Sequence, residues 1–131
     1  MDAVLNNCTE EEITALDTIA AKFLKSYVAF TTNAGKKITK NYNDLLNYLV
    51  PNGSLAERMD NARSGLKWVP DRGASIVSSE INSHIAMQDG RYLYDISYIV
   101  ICKDSTVIRE SVRIIFAQTE DGLRAETMTS Y

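Results

Sequence analysis

The stretch Ser75–Cys102, SIVSSEINSHIAMQDGRYLYDISYIVIC, decides how the chain folds. Two largely alternating apolar runs flank Asp89-Gly90. Asp-Gly in that setting is a strong hairpin signal, because both residues tolerate the positive φ of a type I′ turn. The pattern predicts strands over about 74–88 and 91–102. Downstream, Lys103-Asp104-Ser105 and Thr119-Glu120-Asp121-Gly122 punctuate two more runs, TVIRESVRIIFAQ and LRAETMTSY. Strands joined by short turns are antiparallel neighbours, so 74–131 reads as a four-stranded meander.

Upstream the period changes. After a polar lead over 1–8, expected to be flexible, Thr9 and Glu12 have the spacing of a capping box. Ile13, Leu16, Ala20, Phe23, Leu24, Tyr27 and Phe30 then recur every three or four residues, the mark of a long amphipathic helix. Asn33 and Gly35 suit its C-terminal cap. Lys36, Lys37 and Lys40 read as a solvated loop. Tyr42, Leu45, Leu46 and Leu49 make a second, short helical stripe, stopped by Pro51-Asn52-Gly53. Ser54 with Glu57 offers another capping box, and Leu55, Met59, Ala62 and Leu66 carry a third helix that ends by Trp68, before Pro70. Trp68 reads as a plug between layers, or as part of a ligand wall. Helices over 9–70 followed by strands predict an α+β domain, with three helices on the concave face of the meander.

The whole chain, 131 residues, suffices for one domain with its own core. It carries a net charge of −3, and its basic residues are scattered along the sequence, which argues against nucleic acid as a partner. No apolar run approaches the roughly 20 residues of a membrane span. One histidine and two widely separated cysteines, Cys8 and Cys102, give no metal-site spacing; two free thiols are expected, with one disulfide as the alternative. No cofactor motif is present. MDAVLNNC lacks the features of a signal peptide. A chain clipped from behind a signal or anchor segment would be extracytoplasmic.

The order of these elements resembles the nuclear transport factor 2-like superfamily, a cystatin-like α+β cone. The resemblance rests on the Thr9–Phe30 helix, the short helix at Leu45–Leu49, the Ser54–Trp68 helix and the strands from Ser75 to Tyr131. GRYLYDISYIVIC and VIRESVRIIFAQTEDGLRAETMTSY also resemble small domains of secreted or membrane-anchored proteins of Gram-positive bacteria. The resemblance implies a pocket between helices and sheet. It does not choose an activity, since the superfamily holds enzymes, transport factors and domains without known chemistry.

A two-residue turn at Asp89-Gly90 sets Gln88 opposite Arg91, hence His84 opposite Asp95 and Asn82 opposite Ser97. Pairing Lys103 with Thr106 then gives one apolar face of Leu93, Ile99, Ile101, Ile108, Val112, Ile114, Phe116 and Leu123. That face should meet the helices and also carry His84, Asp95, Asn82, Ser97 and Glu110. A carboxylate beside an imidazole fixes its tautomer and raises its basicity, as a general base requires. The plainer interpretation is an exposed cross-strand contact worth about 0.2–1 kcal/mol. Glu110 on an apolar face needs a partner or a place at the rim. Asn82, Ser97, Glu110 and Trp68 are the candidate ligand contacts. The opposite face would hold Tyr92, Tyr94 and Tyr98, whose apolar area predicts contact with a second copy, as a homodimer, or with a neighbouring domain.

These residues leave three functions open. The first is a non-enzymatic module that binds a small-molecule ligand or a protein. The second is an isomerase or dehydratase using His84–Asp95 for proton abstraction. The third is a dimerising structural domain.

Overall fold

A computed structural model describes residues 6–33 and 35–131. The helices are α1 (Glu10–Thr32), α2 (Ile38–Leu46) and α3 (Ser54–Leu66). A two-residue strand β1 (Asn6–Asn7) precedes them, within the segment expected to be flexible. The long strands β2 (Ser75–Ala86), β3 (Arg91–Ile101), β4 (Val107–Thr119) and β5 (Gly122–Ser130) follow. The sheet is antiparallel in the order β1-β2-β3-β4-β5, and the helices cover one face of it.

The first capping box forms as its sequence dictates. Thr9 Oγ1 accepts from the Glu12 backbone N–H at 3.2 Å, and Glu12 Oε1 accepts from the Thr9 N–H at 2.7 Å. The second does not. Helix α3 begins with Gly53 at its cap, and the Ser54 hydroxyl instead donates to the Glu126 carbonyl on β5 at 3.3 Å. This hydroxyl ties the helix to the sheet rather than closing its own first turn.

The meander is as expected, but its register is shifted by one residue at two turns. The β2–β3 loop is Gln88–Gly90, three residues long, closed by the Met87 N–H donating to the Arg91 carbonyl at 2.8 Å. Asp89 and Gly90 both take positive φ, 67° and 70°. The β3–β4 loop is likewise three residues, Lys103–Ser105, closed by the Cys102 N–H onto the Thr106 carbonyl at 2.9 Å, with Ser105 at φ 70°. A one-residue slip sends a strand's side chains to the opposite face. The β3 side chains that meet the helices are therefore Tyr94, Ile96, Tyr98 and Val100, all buried, and not Leu93, Ile99 and Ile101. On β4 the expected residues Val112, Ile114 and Phe116 do face inward.

The core joins these positions to Leu16, Ala20, Phe23, Leu24, Val28 and Phe30 of α1, with Leu45, Leu49, Leu55 and Met59. The rings of Phe23 and Tyr94 both meet Phe116 edge-on, at centroid distances of 6.2 and 5.7 Å. Tyr94 and Tyr98 are thus core residues, and the outer tyrosine face expected for a homodimer does not exist. Trp68 is not a plug either: it stands 79% exposed. Cys8 and Cys102 are free thiols. Among the described residues no helix is long and apolar enough to cross a membrane.

Candidate functional site

Helix α1 lies across the inner face of the sheet, its backbone nearest β2 and β5, with Asp17 reaching Tyr94 on β3. The two layers part along one side to leave a cleft of about 470 Å³. Its helical wall includes Ala21, Leu24, Val28 and Ala29, and its sheet wall includes Ile76, Ile81 and Ile96. The alanines at 21 and 29 keep the helix wall low at their own positions. Asp17, Lys25, Asn33 and Ser79 supply polar groups to an otherwise apolar lining.

Asp17 is the chemical centre of this region, and it did not emerge from the strand pattern. Its Oδ1 accepts from the Tyr94 hydroxyl at 2.9 Å and sits 2.8 Å from His84 Nε2. The His84 and Tyr94 rings pack edge-on at 5.3 Å. Burial, followed by the hydrogen bond to Asp17, pushes the Tyr94 phenol well above its ordinary range, so it stays a donor. Asp17 is one helical turn past Ile13 and next to Leu16, so helical periodicity alone places it beside the buried stripe. What singles it out is contact with two residues of the hairpin.

His84 and Asp95 do not form a pair. His84 stands opposite Tyr94, and Ser83 stands opposite Asp95. The longer loop turns Asp95 to the outer face, where both of its oxygens receive the Arg113 guanidinium at 2.9 and 3.2 Å. His84 faces α1 on the inner side. The contact expected between Asn82 and Ser97 is present, at 3.1 Å, and continues from Ser97 to the Ser111 hydroxyl at 2.8 Å. A bulge at Asn82, between the Ile81 and Ser83 pairs, carries that contact to the outer face, away from the cleft. Glu110 does face the helices, opposite Tyr98, and lines a smaller hollow of about 250 Å³ together with Tyr27. It is half-buried there, at a rim, as an unpaired carboxylate requires. Trp68 lies outside the cleft.

The structure brings Asp17, His84 and Tyr94 together, and leaves Asp95, Asn82, Ser97, Glu110 and Trp68 in four other places. Asp17 and Tyr94 contribute to the cleft wall, while His84 stands behind them and is not part of the lining. Among the described residues no cluster of three histidine, cysteine or carboxylate groups is placed to hold a metal ion.

The fold is nuclear transport factor 2-like. An Ntf2-like protein involved in plasmid conjugation superposes with a TM-score of 0.64 at 12% identity, over 95% of this chain and 41% of that one. This chain therefore spans about two fifths of that protein. The intermembrane space region of the chloroplast protein ARC6 superposes with a TM-score of 0.66 at 14% identity, over 94% of this chain and 98% of that one. A periplasmic fragment of TraM gives 0.52 at 13% identity, over 87% and 96%. No protein-family model and no curated protein matches the sequence.

Proposed function

We propose that this domain is a non-enzymatic interaction module, and that the cleft between α1 and β2–β3 receives apolar side chains from a polypeptide partner. The observation that carries the reading is the composition of the cleft wall. Alanine, leucine, valine and isoleucine line it, and its polar groups at Asp17 and Tyr94 are already hydrogen-bonded to each other. Such a wall suits burial of apolar surface. It presents no nucleophile with an adjacent base and no free acid beside an oxyanion donor. Among the described residues, strand β2 is the open edge of the sheet from Ser75 to His84, where β1 does not reach it, so an extended segment has backbone groups to bind beside the cleft. The structural neighbours support the same kind of role, since they are described as a conjugation protein and as regions of an intermembrane space and a periplasm. On this reading the domain is an extramembrane part of a larger assembly.

The second reading is an isomerase or dehydratase, and the 2.8 Å contact of His84 with Asp17 is what favours it. Against it stands the absence of His84 from the cleft wall. The Tyr94 hydroxyl is also committed to Asp17 rather than to a substrate oxygen.

Selection of peptides displayed on phage against the folded domain tests the module. Sequences rich in apolar residues should be enriched, and their binding should vanish with Ala21→Trp, which fills the cleft from an exposed position of α1. Failure to enrich any sequence, or binding untouched by Ala21→Trp, would count against the cleft.

A further inference from the structure

One pole of the molecule is built from three segments far apart in sequence: the Gly35–Lys37 turn after α1, the 67–74 link after α3, and the β3–β4 loop. Backbone bonds fix them together. The Arg72 N–H donates to the Thr32 carbonyl at 3.2 Å, and the Lys103 N–H donates to the Arg72 carbonyl at 2.9 Å. The Asn33 side chain makes two bonds to the Ala74 backbone, at 3.1 and 2.9 Å. Gly35, at φ 38°, lets the turn close onto the link, since a Cβ there would lie 3.0 Å from the Val69 carbonyl oxygen.

This closure gathers charge that the sequence disperses. Lys36, Lys37, Lys67, Arg72 and Lys103 stand in these segments against two carboxylates, Asp71 and Asp104, in a chain whose net charge is −3. The lysines are exposed. The carboxylates cap their own turns, Asp71 accepting from the Gly73 N–H at 2.8 Å and Asp104 from the Thr106 N–H at 2.9 Å. Among the described residues, none of these five cations has a carboxylate within ion-pairing distance. At the same pole stands Trp68, the chain's single tryptophan, 79% exposed with the Lys67 ammonium 5.3 Å from its ring.

We propose that this pole docks on an anionic lipid bilayer, with Trp68 seated among the headgroups and the surrounding lysines on lipid phosphates and carboxylates. An exposed indole among cations is what the bilayer interface selects, because the ring is amphipathic and the leaflet surface is negative. A hollow of about 420 Å³ between Trp68 and the Lys36-Lys37 turn leaves room for a headgroup. A single-stranded nucleic acid would call for a row of stacking aromatics along a cationic groove, and this pole offers one ring. Among the described residues no helix is long and apolar enough to cross a membrane, so the docking proposed here is by this surface. The proposal is independent of the cleft.

Trp68 makes the test direct, because intrinsic tryptophan fluorescence reports this one position. The intact chain is mixed at low salt with phosphatidylcholine vesicles, with and without phosphatidylserine. The expected result is co-sedimentation and a blue-shifted emission with the phosphatidylserine vesicles alone, both reversed by added salt. Each lysine removed should weaken binding roughly fivefold, so Lys36→Ser/Lys37→Ser/Lys67→Ser should weaken it roughly a hundredfold. Trp68→Ala should also weaken sedimentation while leaving the thermal midpoint unchanged, which separates docking from folding. Absence of binding to phosphatidylserine vesicles, an unshifted emission on binding, or full binding by the triple lysine variant would overturn the proposal. So would a single-stranded oligonucleotide that displaces the protein from the vesicles, which would assign the pole to nucleic acid.

Discussion

Replacing Tyr94 by Phe isolates one hydrogen bond and tests the strand register with it. Tyr94 and Tyr98 are both buried on the inner face of β3, at 1% and 3% exposure. Among the described residues, only the Tyr94 hydroxyl of the two has a protein partner, Asp17. A bond to a charged acceptor contributes about 1.5–3 kcal/mol. The Asp17 side chain is 39% exposed, so water replaces part of what is lost, and the lower end applies. Tyr94→Phe should therefore cost about 1.5 kcal/mol, a fall of about 6 °C in Tm for a chain of this size. Tyr98→Phe removes a hydroxyl without a protein partner and should stay within about 0.5 kcal/mol of wild type. Urea unfolding of both variants, with unchanged slopes, measures the difference. A double-mutant cycle of Tyr94→Phe with Asp17→Ala should return a coupling of about 1 kcal/mol. Equal costs for the two tyrosines, or no coupling to Asp17, would refute the placement of β3 against α1.

Three further outcomes follow from the same geometry. Thr9→Ala breaks the capping box that forms and should cost about 1 kcal/mol in a denaturation experiment, whereas Ser54→Ala removes no helix cap and should cost less. Gly73→Ala places a side chain at φ 58° against the Lys103 stem and should lower stability by about 1 kcal/mol or more, read as a lower urea midpoint. Burial raises the phenols of Tyr94 and Tyr98 above their unfolded range, so the fold favours their neutral form. That contribution is fully present below the unfolded tyrosine pKa of about 10 and is lost as pH climbs beyond it. Alkaline titration should therefore show their phenolate absorbance rising together with unfolding, not ahead of it.

Element order and helix ends were legible because they depend on local chemistry. Thr9 and Glu12 satisfy each other within one turn, and the apolar spacing from Ile13 to Phe30 needs no knowledge of the sheet. Register was not legible, because Asp89-Gly90 gives the positive φ values of the turn without saying whether Gln88 belongs to the strand or to the loop. That one residue moved Tyr94 from solvent to core and Asp95 from core to solvent-facing Arg113. His84 was correctly set facing the helices, but its partner came from α1, across 67 residues, where no strand pattern points. The basic pole was hidden for the same reason. Its cations are neighbours only after the Gly35 turn and the β3–β4 loop close on the 67–74 link.

Strand β2 has a further consequence, for behaviour at high concentration. A long, flat, bare edge invites another chain to stack on it, and the exposed Val77 and Ile81 would favour such stacking. Two bulges interrupt it, between Ile76 and Ser78 and between Ile81 and Ser83. Each adds a local kink and twist, so the longest regular run left on the edge is short for templating a fibril. Glu80 adds a charge in the middle of that run. The irregularities that complicate the hairpin's register are thus also its protection against self-templated aggregation. Deleting Val77 or Asn82 to straighten the strand would trade that protection for a tidier ladder.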